Sequence, residues 1–390
     1  MRTIRRDSKI LNEEYTAALP EVAKLSQGDL LLRDYEPFST LVLEEHVPSE
    51  AKYPLVNAHT HLGLRIKRPR ILEDMIARAL APVHLPFNNT VEQLKQRYKP
   101  CPIGEVTRTM DACNVAKLVD LDGVSPLNEY SKIYEDYADR FAVFYVLRFE
   151  DVNDPHYGER KAAELEEAVS YGARGLKVHK VLGLTVKDTT GRVIPVDDPR
   201  FDSVWEKAGE LGLPVLIHSS DPAAFFLPVD RHNPSYVTLR YDYPEWSFYG
   251  PDYPDKMKIL RQRDNVLSKH PRTIFIGAHH GNYPENLAYV SALLEKHSNF
   301  YVEFSARYRT LGLQPYTARK HFVKYQDRIL FGTDGCPSIA EYRTYFRFLE
   351  TEDEYFDGRA WGDRIDAINL PDQVLENIYR RNAEKIIPAT

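Results

Sequence analysis

Two of the thirteen histidines in this chain stand two residues apart, in Asn57-Ala58-His59-Thr60-His61, closing the apolar run Tyr53-Pro54-Leu55-Val56. Residues two apart on a strand share a face, so His59 and His61 can aim both imidazoles at one point, as a strand end gripping a divalent metal would. Taken alone, the pair also fits two surface histidines on an edge strand. Other short apolar runs end in similar groups. Lys177 and His179 close Gly175-Leu176-Lys177-Val178-His179, and His218 closes Val215-Leu216-Ile217 ahead of Ser219-Ser220-Asp221. His279 and His280 follow Ile276-Gly277-Ala278, and Asp334 follows Phe331-Gly332-Thr333. Six of the thirteen histidines thus fall at four run ends, which random scatter does not produce. A fold that gathers these ends around one mouth would make them a metal site.

The elements that must do the gathering recur with a regular beat. Apolar runs of four to seven residues lie at Tyr53–His59, Ala116–Asp120, Ala142–Arg148, Gly175–His179, Pro214–His218, Ile274–Ala278, Phe300–Phe304 and Ile329–Gly332. Between them come amphipathic stretches such as Tyr157–Tyr171, Phe201–Leu211, Lys256–Lys269, Glu285–Lys296, Tyr316–Tyr325 and Ile339–Leu349. Strict strand–helix alternation predicts a parallel sheet with both faces covered. Eight units predict a (β/α)8 TIM barrel, whose chemistry sits at the C-terminal strand ends. An open doubly wound sheet is the rival, but no Gly-rich phosphate loop follows the first strand. Residues 1–52 read as an extension packed on the barrel, with a helix over Glu13–Leu25; residues 53–390 read as the barrel, closed by a helix over Pro371–Ile387. The stretch Ser219–Tyr253 after strand five is a long loop carrying Phe225, Phe226, Tyr236, Tyr241, Tyr243, Trp246, Phe248 and Tyr249. Loops of this length are usually functional. These aromatics suit a pocket wall, a small core of their own or a subunit contact equally well.

The motifs NAHTHL, GLKVH, PVLIHSS, AHHGN, LFGTD and ENIYRRNAEKII, in this order, resemble those of the amidohydrolase superfamily. The similarity runs over roughly Tyr53 to Ile387 and is greatest to the branch that includes aminocarboxymuconate-semialdehyde decarboxylase. The resemblance implies that His59, His61, His218 and Asp334 hold one divalent metal ion, zinc first and manganese second, and that His279 is the catalytic histidine. Asp334 would ligate and also carry a proton. The chemistry agrees: three neutral imidazoles and a carboxylate leave room for a water whose pKa falls toward ~7, and a histidine can act as acid or base there. His280 is the alternative to His279 and should point elsewhere, while Asn282 stands where the family commonly has glycine. Lys177 is either a carbamylated bridge between two metals or a substrate contact. His179, Arg307 and Trp246 are further candidate contacts; Arg148 and Arg309, with Arg307, could clamp an anion. Asp122 and Asp221 read by default as solvated loop carboxylates. The first expectation is a hydrolase acting on an amide, ester or lactone. The second is a metal-dependent decarboxylase or hydratase of an unsaturated or aromatic acid, and the third a barrel that only binds its ligand.

Composition narrows the partners. Net charge is −6 without a long Lys/Arg block, which argues against nucleic acid. No apolar run approaches the ~20 residues of a membrane span, so a small-molecule substrate is expected. MRTIRRDSKILNEEY carries charge where a signal peptide needs its apolar centre, and Cys101, Cys113 and Cys336 form no disulfide framework. Both point to a reducing, cytoplasmic setting. A homodimer stays an open option.

Overall fold

The computed structural model describes residues 3–5, 39–62, 102–130, 132, 134–336, 338–358 and 364–389. Among them eight strands follow one another as β1 (Leu55–Thr60), β2 (Val115–Asp120), β3 (Phe141–Val143, resuming after Phe144 as Tyr145–Val146), β4 (Leu176–Val178), β5 (Val215–Ile217), β6 (Phe275–Gly277), β7 (Phe300–Glu303) and β8 (Ile329–Leu330). Successive strands pair in parallel from β1–β2 through β7–β8. The ring closes where the Ala58 N–H donates to the Phe331 carbonyl and the Asp334 N–H to the His59 carbonyl, both at 2.9 Å. This is the (β/α)8 barrel that the alternation predicts.

Period-two alternation sorts the side chains. Val215, Ile217, Phe275, Phe300 and Val302 pack outward under the helices. Their neighbours Leu216, Ile276, Tyr301 and Leu330 turn inward with Val56, Val119, Ala142 and Phe144. Lys177 is in register with Leu216, which is in register with Ile276. The lysine therefore belongs to an interior layer one step below His218. Ala383, Ile386 and Ile387 join the interior cluster, and the Asn382 amide donates to the carbonyl of Ile329 at the start of β8. The closing helix is interrupted by a wider π turn, Asn377–Arg381, between Asp372–Glu376 and Asn382–Ile386.

The outer helices occupy Tyr157–Ser170, Asp202–Glu210, Lys256–Lys269, Leu287–Lys296, Pro315–Lys324 and Ile339–Glu350, within a few residues of the amphipathic stretches. Several start where a side chain accepts an otherwise unpaired N–H: Asp255 from Lys258, Asn286 from Tyr289 and Ser338 from Glu341. Ahead of the barrel, Thr3–Arg5 pairs antiparallel with Glu44–His46. His46 Nδ1 donates to Asp353 at 2.8 Å, and Arg347 donates to the same carboxylate at 2.6 Å. The helix expected over Glu13–Leu25 and the residue Cys101 lie outside the described residues. No helix among the described residues is long and apolar enough to cross a membrane.

The aromatics of the loop after β5 pack largely on one another. Tyr243 stacks on Trp246 with ring centroids 3.9 Å apart, and Phe225 stacks on Trp246 at 5.9 Å. Phe248 meets Phe226 and Tyr253. The Lys180 ammonium lies 5.3 Å from the Trp246 ring and 5.5 Å from Phe248, a cation–π arrangement. Of the alternatives open in the sequence, these contacts build a small core of the loop's own.

Candidate metal centre

β1 is buried along its whole length, and its register with β2 slips between Asn57 and Thr60. Such an irregularity re-aims side chains beside a site, and here it brings two rings together. His59 Nε2 and His61 Nε2 are 3.3 Å apart. Asp334 Oδ1 lies 3.3 Å from the first and 3.5 Å from the second. The other nitrogens are engaged: His59 Nδ1 donates to Glu303 Oε1 and His61 Nδ1 to Asp122 Oδ1, each at 2.7 Å. A neutral imidazole that donates from Nδ1 carries a lone pair on Nε2. Two lone pairs and a carboxylate oxygen therefore converge. The Asp334 side chain is 32% exposed and that of His61 20%, so the site is open on their side, whereas His59 is fully buried.

His279 follows β6 in an unusual backbone. His279, His280, Gly281 and Asn282 all have φ between 52° and 65°, a left-handed turn in which glycine alone is at ease. The conformation costs non-glycine residues roughly 1–2 kcal/mol each, so surrounding bonds must hold it. The His279 N–H donates to Glu303 Oε1 at 2.8 Å, and its Nδ1 donates to the Ser305 carbonyl at 2.9 Å. That leaves Nε2 to face Asp334 Oδ2 at 3.9 Å. His59, His279 and Asp334 offer ligand atoms that all lie within 4.8 Å of one another. Burial, reinforced by the charge of Arg307, pushes the His279 pKa well below the ordinary histidine value despite Asp334. Asp334 also has a left-handed backbone, at φ 64°. Burial would raise its pKa, but His279, His59 and His61 together hold it well below the carboxylate range.

The other predicted residues fall as follows. His218 is buried, its ring 4.5 Å from that of His279, and its Nε2 has no hydrogen-bond partner. His179 is exposed, 5.8 Å ring to ring from His218. Lys177 is buried, and its ammonium has no hydrogen-bond partner. Arg307 is half-buried and donates to the Ala306 carbonyl. Trp246 belongs to the loop cluster. His280 points away, as expected, with Nε2 3.0 Å from His321 Nε2 and its ring stacked on Phe322.

Two carboxylates read differently in three dimensions. Asp122 is bonded to His61 and Asp221 to Lys180, so neither is merely solvated. The residue missed in the sequence is Glu303. It is fully buried and accepts from His59, from the His279 N–H and from the Ser305 N–H at 2.6 Å. Burial would raise its pKa, yet His59, with His279 and the Ser305 N–H, holds it at about 2. The available signal was period two: Tyr301 points inward, so Glu303 must as well. A Cβ added at Gly332 would come within 2.4 Å of Glu303 Oε2 and 3.1 Å of the His59 Cβ. Gly332→Ala is therefore expected to displace this carboxylate and weaken the binding of a divalent metal ion about 10- to 100-fold, measured by calorimetric titration.

The amidohydrolase family model matches residues 125–388, from ahead of β3 through the closing helix. No curated protein matches the chain. Among solved structures it is similar to a dihydroxybenzoic acid decarboxylase from Polaromonas sp. JS666 with bound manganese and the inhibitor 2-nitroresorcinol. That pair has a TM-score of 0.54 at 18% identity, covering 86% of this chain and 96% of the other. A 2,6-dihydroxybenzoate decarboxylase from Rhizobium gives 0.53 at 17%, covering 86% and 98%. An uncharacterized TIM-barrel protein from Bordetella bronchiseptica gives 0.50 at 16%, covering 85% and 97%. At these identities the likeness establishes the fold.

Proposed function

We propose, since this chain belongs to the amidohydrolase family, that it is a metal-dependent, non-oxidative decarboxylase of a small aromatic or unsaturated carboxylic acid. The donor set suits one divalent ion. Lone pairs on His59 Nε2 and His61 Nε2 at 3.3 Å repel unless a cation lies between them, and His218 Nε2, which makes no hydrogen bond and lies 3.7 Å from Asp221 Oδ1, offers a further ligand atom. We take His59, His61, His218 and Asp334 as ligands of zinc or manganese, with Glu303 and Asp122 fixing the two β1 rings. When bound, the ion supplies Lewis acidity to substrate oxygens and lowers the pKa of a coordinated water.

Lys177 is the observation that carries decarboxylation over hydrolysis. Its ammonium is buried without a hydrogen-bond partner, and the carboxylates that act on it, Asp334, Glu303 and Asp122, already face histidines: Asp334 faces His59 and His61, Glu303 bonds His59 and Asp122 bonds His61. A buried, unpaired charge is costly, and an incoming carboxylate relieves it where a neutral amide or ester does not. The Arg307 guanidinium adds positive charge beside His279. In this reading Lys177 and Arg307 orient the acid, with His179 at the mouth. The bond between the ring or vinyl carbon and the carboxyl carbon breaks and leaves its electron pair on the former. Asp334 or His279, whose Oδ2 and Nε2 face each other at 3.9 Å, relays a proton from solvent water to that carbon as carbon dioxide departs, and the hydroxide left behind returns to solvent. The decarboxylases among similar folds support this reading, while the likeness reaches the amidohydrolase family and not specifically the aminocarboxymuconate-semialdehyde branch. Hydrolysis, the first expectation from sequence, would use the same residues.

The test is to load the chain with Mn2+ or Zn2+, supply 2,6-dihydroxybenzoate and related acids, and measure carbon dioxide together with incorporation of labelled water. Release of carbon dioxide with loss of the carboxylate is expected. Cleavage of a matched ester or lactone with the water label entering the product carboxylate, and no carbon dioxide from the acids, would return the site to hydrolysis. Metal content near one per chain is expected; near two would make Lys177 a bridging carbamate. Lys177→Met should raise KM for the acid at least about tenfold, the scale of a lost charge-assisted bond of about 1.5–3 kcal/mol, with metal content unchanged.

A further inference from the structure

The left-handed turn that presents His279 ends in Asn282, at a position where glycine would satisfy the backbone. The asparagine does more. Its Oδ1 accepts from the Ser219 N–H at 3.2 Å, and its Nδ2 donates to the Ser220 carbonyl at 2.8 Å. Ser219 and Ser220 immediately follow His218. The Asn282 side chain therefore bonds the end of β6 to the end of β5, between the segments that carry His279 and His218. Beside it, the Lys256 ammonium is buried and makes the same connection. It donates to the Asn282 carbonyl at 2.6 Å, to the Asp221 carbonyl at 2.5 Å and to Ser220 Oγ at 3.3 Å. About two turns further along the same helix, Lys256–Lys269, Arg263 donates to the Gly281 carbonyl at 2.6 Å.

We propose that Lys256 and Asn282 form a positioning staple that sets the spacing of His218 and His279. Neither side chain touches the reacting atoms. Together they supply donors to three backbone carbonyls (Ser220, Asp221 and Asn282) and an acceptor to one N–H (Ser219). These are the groups that would otherwise be free when two strand ends leave the sheet ladder, and buried backbone groups must find partners. A chain with glycine at 282 would keep the turn and lose half of the staple. Burial lowers the Lys256 pKa to about 8 against the pull of Glu285 and Asp221, so the amine is still protonated at neutral pH and acts as a charged donor. Lys256 also lies 4.9 Å from the Tyr283 ring and 5.7 Å from the Phe226 ring, which ties the aromatic loop to the same point.

The inference rests on the proposed reading in taking His218 as a ligand and His279 as the acid–base group. Its test uses the full chain and Co2+ alone as probe, titrated by visible absorption into the parent, Asn282→Gly and Lys256→Met. Glycine accepts the left-handed backbone, so Asn282→Gly should melt within a few degrees of the parent. Both variants are expected to bind Co2+ about 10- to 100-fold more weakly with an altered absorption band. On the acid substrate, kcat should fall at least about tenfold with KM within about twofold, a split that loss of stability alone does not produce. Folded Asn282→Gly that binds Co2+ within about twofold of the parent, with the parent's band, overturns the staple. Should Lys256→Met fail to fold, Asn282→Gly carries the decision. A parent that binds Co2+ but releases carbon dioxide from no acid defeats the proposed reaction and leaves the Co2+ comparison able to decide the staple.

Discussion

Asp334→Asn should reduce turnover a hundredfold or more while the barrel stays folded. Among the described residues, Asp334 is the one carboxylate whose oxygens face His59, His61 and His279 together, at 3.3, 3.5 and 3.9 Å. The amide removes the negative charge and turns one of those faces into a donor. A positioned acid–base side chain contributes about 10²–10⁴ in rate, so its loss is expected to cost a hundredfold or more. The fold should survive because the backbone at 334 is left-handed, a conformation that asparagine tolerates better than most residues. Steady-state kinetics, metal analysis and a thermal melt on the same preparation check this. Turnover within about threefold of the parent would remove Asp334 from the chemistry.

The second large effect is expected at Glu303. Glu303→Gln keeps the shape but cannot satisfy the site. The carboxylate accepts three N–H donors, from His59, His279 and Ser305, whereas an amide offers one oxygen and an NH2 that must confront at least one of them. His59 would lose the partner that fixes its tautomer, and the His279 backbone would lose a bond that holds it left-handed. Loss of such a carboxylate behind a ligating histidine typically costs 10- to 100-fold in metal affinity or activity. Mn2+ titration calorimetry should show a drop of about this size in affinity, with kcat falling in parallel. Parent-like affinity in Glu303→Gln would mean that Ser305, whose Oγ lies 3.0 Å from His59 Nδ1, suffices to orient the ring.

Both expectations depend on residues of very different legibility. Asp334 was visible from the sequence because a carboxylate directly after an apolar run of strand length falls at a strand end. The same local logic located His59, His61, His218 and His279, the eight strands and the outer helices. Apolar periodicity records which side of a strand or helix is buried, and burial is decided residue by residue along the chain. It even indicated that His280 would turn away from His279. What lay beyond it was pairing across distance. Glu303 meets His59 across 244 positions of sequence, and Asp122 meets His61 across 61; period two shows that Glu303 faces inward but not which ring it meets. The same holds for Asn282, which as a sequence feature is only a departure from glycine. Its bonds to Ser219 and Ser220, and those of Lys256, exist because β5 and β6 are neighbours in the barrel. The aromatic loop also had to be folded before its rings could be seen to stack on one another. The chain alone thus determined the strand ends and the residues they display, because periodic burial is local. The tertiary structure alone decided which carboxylate serves which histidine and what holds the left-handed turn, because hydrogen bonds depend on positions that only barrel closure brings within 3 Å.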